Sequence, residues 1–173
     1  FAHASFESYV PDPDHPSQQA ARAALEAVAA QLVAPKRKGL FRKAAPAATS
    51  VYLDGGYGVG KTHLLASLAH AVGPQRSAYG TFVEYTHLVG ALGFAACVAA
   101  LSQRSLVAID EFELDDPGDT VLMSRLLREL ADAGVTLVAT SNTLPEALGE
   151  GRFAAEDFLR EIQVLASRFS VMR

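Results

Sequence analysis

The 173 residues contain no tryptophan, two methionines and a single cysteine. One thiol cannot close an internal disulfide, and it excludes zinc sites built from several cysteines. Cys97 lies in the apolar run Leu88–Leu101 and reads as a buried free thiol in a reducing compartment. That run is the longest apolar stretch, shorter than the roughly 20 residues that a membrane-crossing helix needs, and it reads as a buried helix. The histidines His3, His15, His63, His70 and His87 form no His-Glu-x-x-His spacing, which argues against a zinc centre. No internal repeat, heptad or collagen-like period is present. An excess of either charge is lacking too. Fifteen Lys and Arg against 19 Asp and Glu give a formal net charge of −4, so there is no general attraction for nucleic acid or anionic membrane. The chain begins at Phe1 without a basic-then-apolar leader, and we expect a soluble cytoplasmic fragment whose natural N-terminus lies upstream.

Half of the residues are hydrophobic and a fifth are charged, the balance of a chain that folds, and the length suits one domain with one substantial core. A capped helix is expected from Ser17 to about Val33, then a proline-punctuated loop through Pro35-Lys36-Arg37-Lys38-Gly39, Arg42-Lys43 and an Ala/Pro tract ending near Ser50. Strand-like and helix-like segments then alternate. Strands are expected at Val51–Asp54, Thr81–Tyr85, Leu106–Asp110, Val135–Thr140 and Phe169–Met172, with helices at Lys61–Val72, His87–Leu101, Thr120–Ala133 and within Leu144–Ala166. Repeated strand-then-helix order implies a parallel sheet. The strands at Leu106–Ile109 and Val135–Ala139 are almost wholly apolar, as expected of central strands covered on both faces.

Between the first of these strands and an amphipathic helix lies Gly55-Gly56-Tyr57-Gly58-Val59-Gly60-Lys61-Thr62. Glycines let the backbone wrap a phosphate, successive N–H groups turn inward, and the helix N-terminus adds partial positive charge. This is the pattern and the context of a phosphate loop that binds ATP with Mg²⁺. Lys61 would reach the β- and γ-phosphates, the Thr62 hydroxyl would ligate Mg²⁺, and the His63 backbone N–H matters there more than its ring. The strand Leu106–Ile109 delivers Asp110 and Glu111 at its C-terminal end, where ligands of open α/β sheets gather. This pair resembles a Walker B motif. Asp110 would hold Mg²⁺ through a water, and Glu111 would orient and deprotonate the water that attacks the γ-phosphate. Glu113, Asp115, Asp116 and Asp119 continue the acidic run. Four more carboxylates cannot all serve one six-coordinate metal, so they read as solvated or as helix caps, with Asp119 or Thr120 capping the next helix.

With a further strand between the phosphate loop and the acidic pair, the arrangement resembles the additional-strand, catalytic-glutamate class of P-loop ATPases. That class implies a three-layer αβα core with sheet order 5-1-4-3-2. The strand Val135–Thr140 ends in Ser141-Asn142-Thr143, and Asn142 is placed either to sense the γ-phosphate and hold the attacking water or to serve only a turn before Pro145.

These motifs together resemble the AAA+ superfamily and, within it, the ZapE-like ATPases related to the mitochondrial ATPase-family-gene-one proteins. The segments that carry the likeness are Tyr52 to Thr62, Ile109-Asp110-Glu111-Phe112 with Asp116 and Asp119, Gly134 to Asn142, Phe158-Leu159 with Ile162, and the N-terminal Phe6-Glu7-Ser8-Tyr9 followed by Pro16-Ser17-Gln18. The resemblance implies an oligomeric, ring-like ATPase linked to bacterial cell division, with relatives in protein quality control, that remodels a protein partner. It also implies an arginine supplied across the subunit interface, for which Arg168 is the first candidate and Arg152 and Arg160 are alternatives. Adenine would lie near the N-terminal segment, with Tyr9, Val10 and Pro11 as its wall, unless Tyr9 only packs. Residues 1–173 would form the large nucleotide-binding subdomain, without the C-terminal helical lid. Two points depart from the pattern: that lid and its arginine are not in the sequence, and Arg160 stands where a proline is expected after Phe158-Leu159. A nucleic-acid-binding switch of the helicase-loader kind is the competing reading, and it would use Lys36, Arg37, Lys38, Arg42 and Lys43, which otherwise form a solvated charged loop.

Overall fold

A computed structural model describes residues 3–34, 50–56, 58–113, 117–143, 167 and 169–172. The Lys36–Lys43 loop, Tyr57, Asp115, Asp116, Arg152, Arg160, Arg168 and the helix expected within Leu144–Ala166 lie outside these residues. Five parallel strands form one sheet: β1 (Ser50–Asp54), β2 (Ser77–Thr81), β3 (Leu106–Asp110), β4 (Thr136–Ser141) and β5 (Phe169–Met172). Their order is β2-β3-β4-β1-β5, which is the expected 5-1-4-3-2 read from the other edge. The described helices are α1 (Pro16–Val33), α2 (Lys61–Val72), α3 (Phe82–Leu92), α4 (Phe94–Leu101) and α5 (Pro117–Asp132).

The period-2 alternation of strand side chains divides the core into two layers. Tyr52, Val107, Ile109, Leu137 and Ala139 meet Phe82, Tyr85 and Val89 of α3, Cys97 and Leu101 of α4, and Met123, Leu126, Leu127 and Leu130 of α5. Their neighbours Val51, Leu53, Leu106, Ala108 and Val138 face the other way, onto Leu25 and Val28 of α1 and Leu64, Leu65 and Leu68 of α2. Strands β3 and β4 are buried along their whole length, as their apolar composition predicts.

The second strand ends where it was expected to begin. Phe82, Val83 and Tyr85 have strand-like composition, but Thr81 and Glu84 close a capping box: the Thr81 hydroxyl accepts from Glu84 N at 3.2 Å, and Glu84 Oε2 accepts from Thr81 N at 2.7 Å. Phe82, Tyr85 and Val89 then recur at helical spacing on the buried side. The helix expected over His87–Leu101 is two helices, because Gly93 takes φ 80° and the chain bends there by 119°. Helix α1 starts at Pro16 and has no side-chain cap; proline itself suits the first helical position. Helix α5 starts at Pro117 for the same reason, so Asp119 and Thr120 lie in its first turn and not before it. Among the described residues no single helix is long and apolar enough to cross a membrane.

Candidate functional site

The C-terminal ends of β1, β3 and β4 are adjacent in the sheet, and the loops leaving them converge. From β1 the chain enters the glycine loop. Gly58 and Gly60 take φ 81° and 86°, left-handed values that side chains rarely adopt, and Gly60 precedes the first residue of α2. Gly60 is constrained twice, since a Cβ added there would stand 2.6 Å from Tyr9 Cε2. The Lys61 ammonium folds back over the loop and donates to Gly55 O at 2.6 Å, Gly56 O at 2.8 Å and Asn142 Oδ1 at 3.0 Å. Burial holds the Lys61 pKa below its ordinary value, against the opposing pull of Asp54, Asp110 and Glu113.

Asp110 is buried, and both of its carboxylate oxygens accept hydrogen bonds. Its Oδ1 accepts from the Thr62 hydroxyl at 3.1 Å and from the Thr140 hydroxyl, while Oδ2 accepts from Tyr79 Oη at 2.8 Å. Burial, followed by this bond to the Asp110 carboxylate, raises the Tyr79 phenol above its usual range. Glu111 is exposed and has φ 53°, a left-handed conformation for a non-glycine residue. Such strain persists only where neighbours over-determine the backbone. Thr140 does so here: its hydroxyl accepts from Glu111 N at 3.1 Å and its carbonyl from Phe112 N at 2.7 Å. Next along, the Glu113 carboxylate accepts from Ser141 Oγ at 3.0 Å, Asn142 N at 3.1 Å and Thr143 Oγ1 at 3.1 Å.

Lys61, Thr62, Asp110 and Asn142 are therefore brought together, with Glu111 at the rim. Tyr57 and Arg168 lie outside the described residues. Tyr9 is buried, its hydroxyl donates to Val59 O at 3.0 Å, and its ring lies 5.9 Å from that of His63. The N-terminal turn is tied to α2 by hydrogen bonds of His63 Nε2 with Ser5 O and Ser8 Oγ, and of His70 Nδ1 with Ala4 O. Tyr9, Gln18, Leu53, Gly55, Gly56 and Lys61 line part of a cleft of about 220 Å³ that runs from the glycine loop to the start of α1. Val10 does not line this cleft and is 85% exposed, because with Tyr9 turned inward its neighbour faces out.

Sequence reasoning missed Tyr79 and Thr140, and it read Glu113 as solvated or as a helix cap, whereas its carboxylate holds the Ser141–Thr143 turn. The one available signal was the run of hydroxyl and amide donors at Ser141-Asn142-Thr143, which needs an acceptor nearby. As a metal site, the Thr62 hydroxyl and Asp110 carboxylate are hard oxygen donors 3.1 Å apart, the kind of partial set that Mg²⁺ completes with phosphate and water.

A glycine loop between a strand and a helix, an acidic strand end beside it and the order β2-β3-β4-β1-β5 define a P-loop ATPase core. The chain belongs to the AFG1-like ATPase family, whose model matches residues 1–173. Among its relatives is an uncharacterized Schizosaccharomyces pombe protein, 28% identical over 168 residues that cover 81% of this chain and 37% of that protein. Another is the cell division protein ZapE of Escherichia coli, 30% identical over 132 residues, 70% of this chain and 35% of ZapE. The chain thus spans about a third of the length of these curated relatives. Domain III of the Thermotoga maritima replication initiation protein DnaA shares the fold, with a TM-score of 0.65 and 22% identity over 98% of this chain and 67% of that one.

Proposed function

We propose that residues 1–173 form the large nucleotide-binding subdomain of an oligomeric ATPase that hydrolyses Mg²⁺–ATP and uses the cycle to remodel a protein partner. The observation that carries this reading is the convergence of Lys61, Thr62, Asp110 and Asn142 at one end of the sheet, with Glu111 on the same strand end as Asp110. The glycine loop's N–H groups cradle the phosphates and Lys61 draws charge from the β- and γ-phosphates. Thr62 and Asp110 would hold Mg²⁺, which when bound neutralises phosphate charge. Glu111 takes the proton of the attacking water, Asn142 orients that water, and no phosphoryl acceptor is required. Tyr9 closes the base end of the cleft. Arg168 of a neighbouring subunit in a ring supplies the remaining positive charge. The relation to ZapE supports a partner in cell division, and protein quality control is the other role that the family likeness suggests.

Phosphate release from ATP, without any acceptor, is measured across protein concentrations with and without Mg²⁺. Mg²⁺-dependent release whose specific activity rises with concentration supports a shared site. No release at any concentration counts against hydrolysis by this chain, and concentration-independent activity counts against an arginine supplied in trans.

A further inference from the structure

We propose that Glu113 is a positioning residue for hydrolysis: its carboxylate fixes the Ser141–Thr143 turn so that the Asn142 side chain stands at the Lys61 ammonium. This rests on the ATPase reading above. The sheet cannot hold the turn by itself, because the β1–β4 pairing ends at Asp54 and Ser141, one residue before Asn142. Past that point two side chains take over. Tyr52 Oη donates to Thr143 O at 2.7 Å, and Glu113 accepts three bonds, from the Ser141 hydroxyl, the Asn142 N–H and the Thr143 hydroxyl. Ser141 is buried, with 1% of its surface exposed, so in the intact site its hydroxyl is shielded from water and donates to the Glu113 carboxylate. It also accepts from Thr143 N at 2.9 Å, which carries the effect through the turn.

Glu113 belongs to the same short segment as Glu111. That segment is laced to Thr140 by the Glu111 and Phe112 N–H groups. One piece of chain therefore places the water-activating carboxylate and also holds the amide that contacts Lys61. The phosphate grip itself comes from the glycine loop and Lys61; Lys61 meets this segment through Asn142, and its other two bonds, to Gly55 O and Gly56 O, stay within the loop. Loss of Glu113 should accordingly lower turnover while ATP binding persists. Glutamine can replace it: the amide oxygen takes the Oε1 position, which accepts from Ser141 and Asn142, and the NH₂ group faces Thr143 Oγ1, a hydroxyl that can accept instead of donate.

The test compares the whole chain with Glu113→Ala and Glu113→Gln by ATP binding, by kcat and KM for phosphate release, and by hydrogen exchange at the Asn142 amide. Glu113→Ala is expected to lower kcat on the order of tenfold or more, to leave ATP affinity within about threefold and to speed exchange at Asn142. Glu113→Gln is expected to stay near wild type in all three. An unchanged kcat or unchanged exchange in Glu113→Ala, a loss of binding that equals the loss of turnover, or a Glu113→Gln as impaired as Glu113→Ala would each overturn the proposal. If the wild type releases no phosphate, the ATPase reading fails separately. The inference is then decided by the change that ATP binding produces at the Asn142 amide, expected in wild type and Glu113→Gln and lost in Glu113→Ala; its survival in Glu113→Ala would overturn it.

Discussion

The Lys61 ammonium lies 3.0 Å from Asn142 Oδ1, joining the phosphate loop to the end of β4 across 81 positions of sequence. With Gly55 O and Gly56 O this uses all three of the ammonium's donors, so a γ-phosphate that entered the loop would compete for Lys61 and free the Asn142 side chain to turn.

Asn142→Ala removes the Oδ1 partner of Lys61 and, on the proposed reading, the group that would report this exchange. Turnover should fall on the order of tenfold to a hundredfold, since a misplaced water costs that much, with ATP affinity nearly unchanged. Phosphate release measured beside equilibrium ATP binding separates the two effects. A matching loss of both would make Asn142 a binding residue and not a sensor.

Gly60→Ala puts a Cβ on a left-handed backbone and against the Tyr9 ring. The strain alone should lower stability by about 1–3 kcal/mol, read as a shift in the urea midpoint. Tyr9 would be displaced as well. A Gly60→Ala, Tyr9→Ala double variant should therefore lose less than the two single changes added together.

Thr140→Val keeps shape but removes the hydroxyl that donates to buried Asp110 and accepts from Glu111 N. We expect a loss of about 1–3 kcal/mol in urea unfolding, the range for leaving buried polar groups unpaired. Turnover should drop too, as Glu111 loses its anchor. Unchanged stability would show that neither bond matters.

Burial lowers the Lys61 pKa, so the free site begins to lose its proton below the pH at which an ordinary lysine does. Bound polyphosphate adds negative charge beside the ammonium and raises the pKa again. The sign follows: binding on the alkaline side takes up protons, and ATP affinity falls as pH rises through the lowered value of the free site. Lys61→Arg, charged throughout, should show no such fall over about pH 7 to 10. Parallel affinity profiles for the two proteins would contradict this.

Much of the site is local in the chain and could be read there. The glycine loop, the Asp110-Glu111 pair and the fully apolar β3 and β4 each announce themselves within a few residues. The misplaced second strand had a local signal as well, since Thr81 and Glu84 stand at capping-box spacing; aromatic and β-branched residues at Phe82, Val83 and Tyr85 masked it. Gly93, where one expected helix breaks into two, was likewise visible. What could not be read was the support around the site. Tyr79, Thr140 and Glu113 act on residues of neighbouring strands, and those contacts depend on a pairing register that the sequence of one strand does not carry.

Whether Glu111 is the base that activates water is decided by Glu111→Gln, with ATP binding and phosphate release measured on the same Mg²⁺-containing samples. The variant should bind ATP as the wild type does and release almost no phosphate. Substantial release by Glu111→Gln would contradict this and remove Glu111 as the base.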